Sequence, residues 1–85
     1  SHEGRERILD IHADGMGLTD DVDLPAIAER TEGFSGAELA SLVTEAGMFA
    51  IRDERTDVTH EDFTNAIEKV NDEEDAAGSQ PVAFA

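Results

Sequence analysis

Apolar residues recur at helical spacing in four stretches of this chain, and the polar residues between them supply the caps and turns that separate helices. Ser1 and His2 read as a cloning remnant and are left out of the pattern. From Arg5, the residues Ile8, Leu9, Ile11 and His12 give a first helix a partly apolar face, and Gly15 supplies a left-handed stop. "GMGLTDDVD" reads as a loop tucked onto the core by Met16, Leu18 and Val22. Asp23 can cap a second helix with Pro25 in its first turn and Ile27 and Ala28 facing inward.

"TEGF" ends that helix, and Ser35 with Glu38 three residues later forms a capping box at the head of a third. Behind it Leu39, Leu42, Val43, Ala46, Ala50 and Ile51 make a stripe longer than three turns, which predicts the central helix. Thr59 with Asp62 repeats the capping pattern, and Phe63, Ala66, Ile67 and Val70 give a fourth helix the same kind of face. No alternation is strong enough to ask for a strand, so the expected class is all-α, a small four-helix bundle. After Asn71 the composition turns to "DEEDAAGSQPVAFA", which is expected to be a disordered acidic tail.

A chain of 85 residues holds one small domain, with only about 60% of its unfolded surface buried on folding. No run approaches the roughly 18 apolar residues of a membrane span, no leader opens the chain, and cysteine is absent. The expectation is a soluble, cytoplasmic protein without disulfides. Charge changes the picture more: 21 acidic against 6 basic residues give a net charge of -15. Such a surface repels phosphate backbones, so neither nucleic acid nor a membrane is an expected partner. The acids are spread along the whole length, which points to a salt-loving source. In molar salt the Debye length is about 3 Å and carboxylates cease to repel one another. An ordinary acidic domain with a tail is the plainer alternative.

The chain holds no phosphate loop, zinc-binding helix motif, nucleophile elbow or calcium loop, so it is expected to catalyse nothing by itself. Three scattered histidines make a metal site improbable. "GFSGAEL" stands out, because Gly36 and Ala37 leave a helix start open to a ring or phosphate. The same residues also suit a plainly capped, closely packed helix.

The succession "GRERILDIHADGM", "DVDLPAIAERTEGFSGAELASLVTEAGMFAIR" and "VTHEDFTNAIEKV" resembles the small C-terminal helical lid of AAA+ ATPases, specifically of the proteasome-activating nucleotidases of archaea and their eukaryotic relatives. The resemblance implies a lid domain over residues 3–71 and a tail over 72–85. It implies that the lid covers ATP, whose magnesium and phosphates are held by a larger α/β domain carrying the phosphate loop and catalytic acid, neither of which occurs in this sequence. His12 then corresponds to a histidine facing adenine and ribose, and Gly36 with Ala37 to the small pair lying against the nucleotide. No nucleotide is expected to bind tightly to the lid alone. Ala37 stands where some AAA+ lids have a sensing arginine, so the lid is expected to act by packing and motion. The parent chain would be an ATP-hydrolysing unfoldase. Its partners would be neighbouring subunits of a hexamer, protein substrates and the α-ring of the 20S proteasome. Docking on that ring falls to Ala83, Phe84 and Ala85, with Phe84 where relatives have tyrosine.

Two other readings compete with the lid. An acyl-carrier-like domain would use Ser35 as its attachment residue, although its usual D-S-L triplet is missing. A stand-alone acidic helical adaptor would bind a partner through the stripe of the third helix.

Overall fold

A computed structural model describes residues 1–79, with side chains to Glu73. Four helices follow one another: α1 (His2–Ala13), α2 (Leu24–Arg30), α3 (Gly36–Arg52) and α4 (His60–Ser79). Each predicted cap is in place. The Asp23 carboxylate accepts from the Ala26 N–H at 3.1 Å. Ser35 Oγ accepts from the Glu38 N–H at 3.1 Å while the Glu38 carboxylate accepts from the Ser35 N–H at 2.8 Å. Thr59 and Asp62 exchange the same two bonds at 3.1 and 2.9 Å. These groups would otherwise be donors without intrahelical partners.

α3 is the central element, packed against α1 on one side and α4 on the other, and α1 also packs against α2. The core is formed by Leu9, Ile27, Leu39, Leu42 and Phe63, all fully buried, with Ala28, Ala46 and Ala66 allowing close approach. Two residues of the expected apolar faces lie outside it, Ile11 at 61% and Ile51 at 66% exposed. At 3.6 residues per turn Ile51 sits about 120° around the helix from Leu39, whereas Ala50 sits about 20° away, so only Ala50 stays in the stripe. Ile11, two residues after Leu9, points to the far side of α1 for the same reason.

Three further differences separate the fold from the sequence pattern. α1 starts at His2, capped by the Ser1 hydroxyl, which accepts from Gly4 N–H at 3.0 Å. α4 passes the composition change at Asn71 and continues to Ser79, since a run of acids and alanines contains no helix breaker before Gly78. The expected boundary between residues 71 and 72 is therefore not the end of the helix, and the docking positions Ala83, Phe84 and Ala85 lie outside the described residues.

The third difference is that the two loops pair. Leu18 and Val58 form an isolated parallel bridge, with Val58 N–H donating to Gly17 C=O at 2.9 Å and Thr19 N–H to Val58 C=O at 3.0 Å. The pairing ties the α1–α2 connection to the α3–α4 turn and buries Val58. A β-carbon at Gly17 would meet only the exposed Asp57 carboxylate at close range, so that side chain would have to turn aside.

Candidate functional site

α3 begins beside a left-handed Gly33 (φ 88°), which turns the chain after α2 and hands it to the Ser35 cap. The first helical residues, Gly36 and Ala37, are both exposed. A β-carbon added at Gly36 would meet nothing within 4 Å, and its backbone is not left-handed. Close packing within this bundle therefore does not require the glycine at position 36. By helix geometry the Gly36 and Ala37 N–H groups have no partner one turn earlier, and they lie at the positive end of the α3 dipole.

His12 lies in the last turn of α1 and is also exposed. α1 packs on α3, so the candidate imidazole and the candidate ledge belong to adjoining helices. All three residues are exposed. Three concavities on the described surface are lined by other residues. The Ser35 hydroxyl is occupied as a cap, which is a structural use of the residue that a carrier-type reading would need for attachment.

The polar network of the bundle lies on a different element pair and was not visible as a site in the sequence. Arg55 donates to Asp62 at 2.8 and 2.9 Å and to Asp53 at 2.9 Å. The Asp62 side chain is only 4% exposed. The guanidinium first, and then the Thr59 N–H and hydroxyl, hold the Asp62 carboxyl below its ordinary range against the opposing effect of burial. The same carboxylates raise the Arg55 pKa. Elsewhere the Asp23 N–H donates to His60 Nδ1 at 3.2 Å, joining the α2 cap to the first turn of α4. The Thr19 hydroxyl donates to Asp21 and lowers its pKa. The nearest sequence signal for this network was the second capping pair, which identified Asp62 as a cap but not as the partner of Arg55.

Residues 21–65 match the family model of the AAA+ lid domain. Among curated relatives, the chain is similar to proteasome-activating nucleotidase 2 of Haloferax volcanii, 56% identical over 81 residues, which are 95% of this chain and 19% of that protein. It is 60% identical over 68 residues to the proteasome-activating nucleotidase of Pyrococcus horikoshii, covering 80% of this chain and 17% of the relative. It is 54% identical over 70 residues to the 26S proteasome regulatory subunit 8 homolog of Schizosaccharomyces pombe, covering 82% of this chain and 17% of the relative. The chain thus spans less than a fifth of the length of these proteins.

Proposed function

Since the chain belongs to the AAA+ lid domain family, we propose that it is the lid of a proteasome-activating nucleotidase, covering ATP held by a larger domain of the same polypeptide. His12 would face the adenine and ribose, and Gly36 with Ala37 would form the ledge against which the nucleotide lies. Magnesium and the phosphates would be held outside this chain. Hydrolysis would change the angle between lid and large domain, and contact with the next subunit of a hexamer would turn that change into substrate unfolding. The tail residues Ala83, Phe84 and Ala85 would dock the ring on the 20S proteasome. With alanine and phenylalanine where relatives carry a larger apolar residue and a tyrosine, that docking is expected to be weaker than theirs.

The observation that carries this reading is the open position at Gly36, a glycine that neither φ nor packing demands, at the exposed start of the central helix. A surface kept free of side chains without an internal reason suits the approach of a flat ligand. The test is Gly36→Leu in the full-length ATPase that contains this lid. The substitution meets open space in the bundle, so the lid should stay folded, while KM for ATP rises by about tenfold, equivalent to about 1.4 kcal/mol of lost binding. An unchanged KM in a folded hexamer would remove Gly36 from the nucleotide site.

A further inference from the structure

A second feature is independent of the nucleotide-covering role. Between α3 and the paired loops lies an open crevice of about 260 Å³. Gly47, Ala50 and Ile51 form one wall at i, i+3 and i+4 of α3, and Met16, Gly17 and Val58 form the other. The methyl end of Met16 lies over Gly47, where a β-carbon would come within 3.0 Å of it. Its lining is mostly apolar, with Arg55 and Thr56 as the polar members, and Ile51, 66% exposed, stands at the end of α3 beside it. Met48, 41% exposed, lies one turn before Ile51 on that helix. The crevice has room for one aliphatic side chain.

Its rim is acidic. Asp14, Glu54 and Asp57 are exposed and adjoin lining residues in sequence, and the Asp57 carboxylate lies against Gly17 itself. Two cations are near. Arg55 lines the crevice but is committed to Asp62 and Asp53, and Arg52 lies over the Phe49 ring, 5.5 Å from its centroid. With Arg55 held by Asp62 and Asp53, the carboxylates of Asp14, Glu54 and Asp57 leave the rim with net negative charge. A second copy of a chain with net charge -15 is repelled by that rim, and so is the chain's own C-terminal segment, which is led by "DEED".

We propose that this crevice docks a basic segment of a partner protein, which inserts one aliphatic side chain between Met16 and Ile51 and sets flanking lysines or arginines against Glu54 and Asp57. The apolar anchor supplies affinity and the acidic rim supplies attraction and selectivity.

Amide NMR titrations of the 85-residue chain with two capped peptides, Lys-Lys-Leu-Lys-Lys and Lys-Lys-Ser-Lys-Lys, at one ionic strength test the proposal. The leucine peptide should bind about tenfold more tightly, with the largest shifts at Met16, Gly47 and Ile51. Ile51→Ser alters an exposed side chain, and in that variant, with helicity checked by circular dichroism, the two peptides should bind alike. Asp57→Asn should weaken both peptides of the pair and leave their ratio intact. Equal affinities for the unaltered chain, or shifts spread over the whole acidic surface, would overturn the proposal. Concentration-dependent dimerisation that shifts these amides without peptide would overturn it too, by giving the crevice to a second copy.

Discussion

Arg55 and Asp62 are joined by two hydrogen bonds of 2.8 and 2.9 Å across the turn between α3 and α4. The bond pair fixes how the last two helices meet, because Asp62 simultaneously accepts from the Thr59 N–H at the start of α4. Asp62→Ala removes a cap and leaves Arg55 without its main partner, and is expected to destabilise the bundle by about 2 kcal/mol. Urea unfolding followed by circular dichroism reads the change.

The same pair makes stability depend on acid. The folded carboxyl lies below the ordinary value of 3.8, so folding weakens proton binding at Asp62. Its stabilisation is complete above about pH 4 and is lost as pH falls through the folded value. Asp62→Asn should flatten the stability profile below about pH 4 relative to the unaltered chain. An unchanged acid limb would show that other carboxylates govern it.

α3 ends in a Schellman arrangement, with Glu54 N–H donating to Ile51 C=O and Arg55 N–H to Ala50 C=O, both at 2.9 Å. The left-handed position is held by Glu54 at φ 57° in place of glycine. Glu54→Gly relieves that conformation and also removes one acid, and is expected to raise stability by about 0.5–1 kcal/mol. A lower midpoint in urea would mean that the Glu54 side chain contributes more than its backbone costs.

Phe63 is fully buried where α4 meets the core. Phe63→Ala is expected to cost about 3–5 kcal/mol, a large share of the stability of so small a domain. Loss of the cooperative thermal transition at 37 °C is the expected result, and a retained sharp transition would show that the core closes over the gap.

Salt should strengthen the fold. A net charge of -15 on 85 residues resists compaction in dilute buffer, and molar KCl shortens the Debye length to about 3 Å. The helical circular dichroism signal and the thermal midpoint should both rise between dilute buffer and about 2 M KCl. Indifference to salt would count against adaptation of this surface to saline cytoplasm.

In the full-length ATPase, deleting Phe84 and Ala85 should lower association with the 20S proteasome while leaving the helical bundle unchanged. Unaltered co-sedimentation with the proteasome would reject the docking role of the tail.

The sequence alone determined the four helices, their order and most of their ends, because these are local matters. Ser35 with Glu38 and Thr59 with Asp62 close rings within one turn, and the stripe from Leu39 to Ala50 depends only on the helical repeat. It also brought Gly36 and Ala37 into view, since small residues at a capped helix start are a local pattern. Tertiary structure decided that Ile11 and Ile51 face outward, that Leu18 pairs with Val58 across the fold, that Arg55 rather than solvent satisfies Asp62, and that no neighbour fills the space at Gly36. Those outcomes depend on which helix faces lie against one another, and that is set by the simultaneous packing of residues far apart in the chain, a quantity that no local spacing contains.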